Sequence, residues 1–280
     1  MFSVYLPEGR DIHLTKGYKN DIYIIQASCT YIIIYQSNND VQKKTKKEEV
    51  IMKLFTKDLV KIIDYSLLNP WVKESDIVNF CEIEKKYNFG TVYVLPSNFT
   101  FIKNLLKGHD VLLGTGVSFP FGANDTKTKL FECSRVLELG ADVVDFVINI
   151  GALKSDNTKL VEYEIKEIVK LASPIPVKVI LEVSYLTEEE IIKATKIACS
   201  AGAAFVKTGT GFGSRGSTIK DVKLLLENLS GYTKIKVAGG ITNIDVLLEM
   251  YKAGVSLFGL SKAPQIVDEF IEKYHGMYEF

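Results

Sequence analysis

Eight short apolar runs that alternate with amphipathic segments predict an α/β fold, a (β/α)8 TIM barrel with an N-terminal extension, for this 280-residue chain. The runs begin roughly 20 to 35 residues apart, which is about the length of a βα unit. An open doubly wound sheet more often carries a GxGxxG turn near its start, and none is present there, so that fold is the weaker alternative. The predicted strands are Leu59–Ile63, Thr91–Leu95, Val111–Val117, Val143–Ile148, Val177–Val183, Ala203–Val206, Ile235–Ala238 and Leu257–Leu260.

Amphipathic helices are predicted between the strands. The clearest begins at Thr187, where a threonine followed three residues later by Glu190 forms a capping box, and it ends at Gly202. Apolar residues then recur on one face of this segment, as expected for a helix that packs on a sheet. Similar helices are predicted from Asn124 or Asp125 to Gly140, from Thr158 to Ala172 and from Thr242 to Gly254.

Residues 1–47 have a different pattern and are predicted to form the N-terminal extension, with residues 48–280 forming the barrel domain. Two β-branched and aromatic runs, Asp21–Gln26 and Thr30–Tyr35, are separated by three residues and favour a β-hairpin. The charged stretch Gln42–Glu49 is interpreted as a solvated linker, which is the simpler alternative to a nuclear-localisation signal.

Composition narrows the class of protein. The chain is 47% hydrophobic and 24% charged, and its formal net charge is zero, so neither nucleic acid nor an anionic membrane is an expected partner. The four cysteines form no CxxC pair and the three histidines are scattered, so no metal site is predicted. There is no long apolar run and no basic leader, and a cytoplasmic location is the expectation.

Candidate catalytic residues are polar groups at the carboxyl ends of the predicted strands, because active sites of such barrels lie there. In the fifth run, alternation places Lys178 and Glu182 on one face and apolar residues on the other, so both charged side chains are expected to face the barrel interior. The other candidates are Asp64, Ser66, Asp145, Lys207 and Lys236.

Lys207 and Lys236 fall on neighbouring predicted strands, roughly 5 Å apart between backbones. Two ammonium groups that approach each other in a medium of low dielectric constant repel, and one of them is favoured to lose its proton. A neutral lysine is a nucleophile suited to forming a Schiff base with a carbonyl compound. A buried ion-pair network with a purely structural role is the alternative for these charged residues.

Glycines follow three successive strands and predict a phosphate site, because backbone N–H groups can approach phosphate oxygens where no side chain intervenes. Any single glycine could equally mark a tight turn. The glycines lie after Lys207 (Gly209, Gly211, Gly213 and Gly216), after Lys236 (Gly239 and Gly240), and at the eighth strand (Gly259, followed by Ser261).

Taken together, these segments resemble the deoxyribose-phosphate aldolase family of class I aldolases. No single segment is specific, but their order and their positions on the strands are. The matching segments are Ile63–Pro70, Gly140–Leu153, Val177–Glu182, Phe205–Phe212 and Lys236–Ile241.

The resemblance implies a reaction and a set of roles. The family reversibly cleaves 2-deoxy-D-ribose 5-phosphate to D-glyceraldehyde 3-phosphate and acetaldehyde, without a metal or an organic cofactor, in deoxyribonucleotide and carbohydrate catabolism. Its members are homo-oligomers, and a dimer is favoured here. Lys207 corresponds to the Schiff-base lysine. Lys236 corresponds to the lysine that lowers the pKa of the Schiff-base lysine and takes part in proton transfer, and Asp145 to the carboxylate that works with Lys236 through a water. The implied substrate-binding residues are Asp64, Ser66, Tyr93, Lys178, Thr208 and Thr210, and the implied phosphate-binding residues are Gly211, Gly239, Gly240, Gly259 and Ser261.

Three positions depart from the family pattern. Tyr93 stands where many members have a cysteine, Gly209 replaces a serine, and Lys262 replaces a second serine after Ser261. These departures keep two alternatives open: a different Schiff-base sugar-phosphate aldolase, or a weakly active or inactive barrel that serves as a binding or scaffolding protein. Whether Tyr278 near the chain end reaches the pocket, as a terminal tyrosine does in some members, is left open.

Overall fold

The computed structural model describes residues 12–16, 22–27, 30–35 and 51–280, with side chains from residue 52 onward. The chain divides into two compact units. One unit comprises residues 1–59 together with 268–280, and the other comprises residues 60–267.

The first unit contains a five-stranded antiparallel sheet. Its strands occur in the spatial order β1 (Ile12–Lys16), β2 (Ile22–Ala27), β3 (Thr30–Tyr35), β4 (Ile51–Phe55) and β13 (Met277–Glu279).

β2 pairs with β3 from Ile22 opposite Tyr35 to Ala27 opposite Thr30, in the segment where a hairpin is predicted. Tyr278 lies in β13 opposite Leu54 of β4, so the end of the chain is a strand of this sheet. The predicted linker and the predicted domain boundary after residue 47 lie outside the described residues and stay predictions.

The second unit contains a closed barrel of eight parallel strands, as predicted. The barrel is closed by pairing of β12 (Leu257–Leu260) with β5 (Ile63–Leu67), where Phe258, Gly259 and Leu260 lie opposite Ile63, Asp64 and Tyr65. The strands are β5 (Ile63–Leu67), β6 (Thr91–Val94), β7 (Leu112–Val117), β8 (Val143–Val147), β9 (Val177–Ile180), β10 (Phe205–Lys207), β11 (Lys234–Ala238) and β12 (Leu257–Leu260).

Helices connect the strands and end where the sequence predicts. The capping box of Thr187 and Glu190 is present at the start of α7 (Glu188–Ser200). Asp125 caps the start of α4 (Thr126–Leu139), and Gly140, in the left-handed conformation, caps its end. Within the described residues no helix is both long and apolar enough to span a membrane. The helices are α1 (Thr56–Lys61), α2 (Glu74–Tyr87), α3 (Phe99–Leu105), α4 (Thr126–Leu139), α5 (Ile150–Lys154), α6 (Thr158–Ala172), α7 (Glu188–Ser200), α8 (Ile219–Asn228), α9 (Ile244–Ala253) and α10 (Ala263–Tyr274).

Two local predictions were wrong. The first barrel strand was predicted at Leu59–Ile63, but Leu59 lies in helix α1 and the strand begins at Ile63, because a short apolar run does not distinguish a buried helical turn from a strand. Glu182 was predicted to face the barrel interior with Lys178. The strand ends at Ile180, and Glu182 has a positive φ of 57°, so the alternation of sides no longer applies to it.

Candidate active site

The barrel places the predicted lysines side by side. Lys207 of β10 lies opposite Lys236 of β11 in the strand register, and Asp145 of β8 lies opposite Lys178 of β9. All four residues are at most 3% exposed. Because these strands are consecutive around the barrel, their inward-facing side chains converge at its centre.

Two carboxylates hold these three ammonium groups. Asp145 Oδ2 accepts hydrogen bonds from Lys207 Nζ at 2.5 Å and from Lys236 Nζ at 3.2 Å. Asp64 Oδ2 lies 2.6 Å from Lys178 Nζ and 2.6 Å from Lys236 Nζ. Lys236 is therefore shared by both carboxylates, whereas Lys207 is paired with Asp145 and Lys178 with Asp64.

The network shifts the pKa values of its members in different directions. The pKa of Lys207 is lowered from 10.5 to about 8, because burial and the positive charge of Lys236 together lower it more than Asp145 raises it. Burial would also lower the pKa of Lys236, but the carboxylates of Asp145 and Asp64 raise it above its ordinary value. Burial by itself would raise the pKa of Asp145, but the neighbouring ammonium groups outweigh this effect and hold its pKa well below its ordinary value.

Charge balance favours loss of a proton from one of the buried amines other than Lys236. Three buried ammonium groups against the two carboxylates of Asp64 and Asp145 would leave one positive charge without a partner, and an unpaired buried charge is strongly disfavoured. Lys236 has two carboxylate partners, whereas Lys207 and Lys178 have one each, and burial lowers the pKa of both of these lysines. The arrangement therefore yields a nucleophilic amine beside a permanent cation near neutral pH.

Aromatic rings shield the Lys207 amine. Lys207 Nζ lies 5.7 Å from the ring centroid of Tyr93 and 6.0 Å from that of Phe119. Phe119 packs over Gly116 of β7, where an added Cβ would lie 2.7 Å from the Phe119 Cβ, and its ring contacts Phe212 edge-to-face at 5.7 Å. The rings reduce the exposure of the amine to water, which is the physical cause of its lowered pKa.

A cavity of about 190 Å³ lies beside the loops that follow Lys207 and Lys236. Backbone atoms dominate its wall, because most of the lining residues are glycines. Gly240 has a φ of 84°, and an added Cβ would lie 2.5 Å from the Ser217 carbonyl oxygen. The lining residues are Glu182, Val183, Gly209, Gly211, Gly213, Arg215, Gly216, Ser217, Ala238, Gly239 and Gly240.

Glu182 shapes this cavity. Its Oε2 accepts hydrogen bonds from the Thr210 N–H at 2.9 Å and from the Thr210 hydroxyl at 2.6 Å, and its Oε1 accepts one from Ser184 at 2.8 Å. Thr208 bonds across to β11, where its hydroxyl accepts from the Ala238 N–H at 3.0 Å. Both threonine hydroxyls, predicted as substrate ligands, are thus engaged in holding the loop.

The other residues predicted to bind substrate or phosphate differ in how deeply they are buried. Ser66 is half-buried on β5, opposite Tyr93. Gly259 lies on β12 inside the barrel, where an added Cβ would lie 3.3 Å from Lys236 Cε. Ser261 and Lys262 are exposed just before α10. Within the described part of the chain, neither Gly259 nor Ser261 lines the cavity.

Arg215 is a cavity residue that sequence reasoning missed. Its guanidinium makes a two-pronged hydrogen bond to Asp221, with distances of 2.7 and 2.9 Å, and also donates to the carbonyl oxygens of Gly216 and Val183. The signal was available in the sequence, since an arginine between glycines in a predicted phosphate loop is a candidate anion ligand.

A closed (β/α)8 barrel whose strand ends carry a buried amine of lowered pKa beside a glycine-lined cavity defines the class of barrel enzymes that use a lysine as nucleophile. Within that class the chain belongs to the DeoC/LacD family of aldolases, whose family model matches residues 61–257.

Individual relatives agree with this assignment. A deoxyribose-phosphate aldolase from Thermococcus kodakarensis is 42% identical over 216 residues, covering 76% of this chain and 96% of the relative. One from Mycoplasma capricolum is 43% identical over 209 residues, covering 75% and 94%. The solved structure of a tetrameric deoxyribose-phosphate aldolase from Aeropyrum pernix is 30% identical and superposes with a TM-score of 0.71, covering 77% of this chain and 92% of that one.

Proposed function

We propose that the chain is a class I aldolase that reversibly cleaves 2-deoxy-D-ribose 5-phosphate to D-glyceraldehyde 3-phosphate and acetaldehyde. The single observation that carries the proposal is the buried Lys207 amine, which shares Asp145 with Lys236 beside a glycine-lined cavity. Relatives that bear the name deoxyribose-phosphate aldolase support the choice of substrate.

The first half of the reaction forms the Schiff base. The neutral Lys207 amine attacks C1 of the open-chain sugar phosphate and forms a carbinolamine. Loss of water then gives an iminium ion, and Lys236, whose pKa is raised, supplies a positively charged proton donor beside it.

The second half breaks the carbon–carbon bond. A base removes the proton of the C3 hydroxyl, and we assign this task to a water held by Asp145 and Lys236. The electrons of the C2–C3 bond move into the iminium ion, glyceraldehyde 3-phosphate departs and an enamine remains. Protonation of the enamine at C2 and hydrolysis of the resulting iminium ion release acetaldehyde and regenerate the Lys207 amine.

The cavity suits the phosphate end of the substrate. Its glycine backbone allows close approach of N–H groups, and Arg215 adds a cation that Asp221 holds in place. We assign phosphate binding to Gly211, Gly239 and Gly240 of the cavity wall, with Gly259 and Ser261 as further residues at the end of β12. Asp64, Ser66, Tyr93, Lys178, Thr208 and Thr210 are assigned to forming the substrate site.

We infer that the protein forms a homo-oligomer in solution, with a dimer as the expected form. The relative from Aeropyrum pernix is a tetramer, which supports self-association within the family. Sedimentation analysis of the full chain tests this inference.

Trapping the Schiff base tests the reaction. Borohydride reduction in the presence of acetaldehyde should add an ethyl group to Lys207, and Lys207→Leu should lower kcat/KM by on the order of 10³-fold or more while far-UV circular dichroism is unchanged. Lys196→Leu on the exposed face of α7 is the matched control. Labelling at another lysine, or retained turnover in Lys207→Leu, would refute the role of Lys207. Preference for a dihydroxyacetone donor over acetaldehyde would indicate a different Schiff-base aldolase.

A further inference from the structure

Tyr93 lies at the centre of the lysine cluster. It is on β6, between Ser66 of β5 and Gly114 of β7 in the register, and it is 2% exposed. The distance from its ring centroid to Lys236 Nζ is 3.8 Å, whereas the distances to Lys178 Nζ and Lys207 Nζ are 5.1 and 5.7 Å.

Gly114 provides the space for this ring. A Cβ added at Gly114 would lie 2.5 Å from Tyr93 Cζ and 2.6 Å from Cε1, which is closer than any real contact. Any other residue at position 114 would therefore displace the ring. Gly114 and Tyr93 thus form a matched pair on neighbouring strands, in which the glycine permits the position that the tyrosine occupies.

The ring is held uncharged. Burial, together with the negative charges of Asp145 and Asp64, raises the pKa of Tyr93 well above 10. The face of a neutral phenol ring attracts a cation, and this attraction is strongest where water is excluded. The closest cation, Lys236, also lies between the two carboxylates of the network.

We propose that Tyr93 is a positioning residue whose ring face holds the Lys236 ammonium between Asp64 and Asp145 and so keeps that positive charge beside Lys207. This role rests on the proposed function only in one respect, namely that Lys207 is the reactive amine that Tyr93 influences through Lys236. Tyr93 itself need not touch the reacting atoms.

Removing the ring affects every group that faces Lys207. These groups are Asp145 from β8, Lys236 from β11, Asp64 from β5 and the ring of Phe119 after β7. Lys178 on the neighbouring strand β9 also lies 5.1 Å from the Tyr93 ring centroid. Without the Tyr93 ring, water reaches the amine, Lys236 moves more freely and Asp145 is left to pair with Lys207. Each of these changes favours the protonated form of Lys207, so all three raise its pKa.

The test measures the reactivity of Lys207 without any substrate. The full-length protein is labelled with acetic anhydride between about pH 6 and 11, and the extent of Lys207 acetylation at each pH is read from its peptide by mass spectrometry. We expect Tyr93→Leu to raise the pKa of Lys207 by about one, and we expect Tyr93→Phe, which keeps the ring, to leave it unchanged. Tyr65→Leu is the matched control, because Tyr65 lies on the neighbouring strand but stacks on Phe80 on the helix side, at a centroid distance of 4.2 Å.

A second variant keeps the proposal testable if Tyr93→Leu does not fold. Gly114→Ala should displace the ring and raise the pKa of Lys207 in the presence of Tyr93, and it should add nothing in the Tyr93→Leu background. An unchanged Lys207 pKa in both single variants would overturn the proposal. A shift of equal size in Tyr93→Phe would overturn it as well, because the hydroxyl rather than the ring would be responsible.

The outcomes for the two proposals are distinct. If wild-type protein cleaves no deoxyribose 5-phosphate but Tyr93→Leu still shifts the pKa of Lys207, the proposed function fails and the role of Tyr93 stands. If the wild type is active but Lys207 labels identically in Tyr93→Leu and Gly114→Ala, the role of Tyr93 fails and the proposed function stands.

Discussion

At the scale of single residues, the reactivity of Lys207 depends on its neighbours more than on its own chemistry. An ordinary lysine has a pKa of 10.5 and is protonated at neutral pH, whereas the pKa of Lys207 is lowered to about 8, mainly by burial. Asp145 acts in the opposite direction, because its carboxylate stabilises the charged amine at 2.5 Å. The pKa of Lys207 is thus a balance that single substitutions should move in a known direction.

The pH dependence of Schiff-base formation reports this balance. Below about pH 8 the rate of borohydride-trapped adduct formation should rise about tenfold per pH unit, because only the neutral amine reacts, and above that pH it should level off. Asp145→Asn removes the charge that raises the pKa of Lys207. The pH at which the rate levels off, called the break, should therefore fall by about one unit.

Lys236→Met provides the opposite case. It removes a cation that lowers the pKa of Lys207, so the break should move to higher pH. Breaks that move in the same direction in Asp145→Asn and Lys236→Met would contradict the electrostatic account. Lys196→Met on the exposed face of α7 is the control for loss of a lysine as such.

At the scale of elements, the loops after β10 and β11 form the cavity, and their backbones pack directly against each other. Gly216 and Gly240 approach so closely that a Cβ added at Gly216 would lie 2.4 Å from Gly240 Cα. Ser217 reinforces the contact, since its hydroxyl donates to the Ala238 carbonyl at 2.9 Å. Glycine is required here by close approach and not only by chain flexibility.

Gly240→Ala tests the role of this cavity. The added Cβ would meet the Ser217 backbone at 2.5 Å and deform the wall, so KM for deoxyribose 5-phosphate should rise by on the order of tenfold. Turnover of unphosphorylated 2-deoxyribose should be unchanged, because this sugar places no phosphate there; release of acetaldehyde measures both reactions.

Gly231→Ala is the matched control for this variant. Gly231 also has a positive φ, of 65°, but an added Cβ there would have no neighbour within 4 Å, and the residue does not line the cavity. It therefore carries the same backbone strain without the clash. An equal loss of activity toward both sugars in Gly240→Ala would argue against a phosphate site.

At the scale of the whole molecule, the barrel depends on contacts between distant parts of the sequence. Closure joins β5 to β12, through pairs such as Ile63 with Phe258. The lysine cluster draws on strands β8 to β11 together with Asp64 of β5, so it exists only once the barrel is closed. Because the pairing is long-range, we expect the barrel to fold cooperatively and the lysine cluster to form together with it.

Truncation tests this dependence. A chain that ends at Gly254 lacks β12, which leaves β5 and β11 as open edges and exposes unpaired backbone groups. We expect such a chain to lose its cooperative thermal transition, followed by circular dichroism. A chain that ends at Tyr274 keeps all eight barrel strands and is the control, which should retain the transition. Cooperative unfolding of the shorter chain would show that closure is not required.

Local patterns determined much of the architecture. The alternation of apolar runs and capped helices predicted the eight strands, and the two lysine–glycine segments predicted which strand ends carry the candidate chemistry. These features follow from periodicity and capping, which act over a few residues. Errors occurred where two local structures bury the same residues, as at Leu59, and where the backbone leaves the extended conformation, as at Glu182.

The amino-acid sequence by itself determined the barrel, the Lys207–Lys236 pair and the glycine-lined loops. Only the tertiary structure decided that Asp64 and Asp145 divide the three ammonium groups unequally, that Tyr93 lies against Lys236 over Gly114, and that Arg215 lines the cavity. The reason is physical: the pKa of a buried group depends on distances between side chains from strands far apart in the sequence, and closure of the barrel sets those distances.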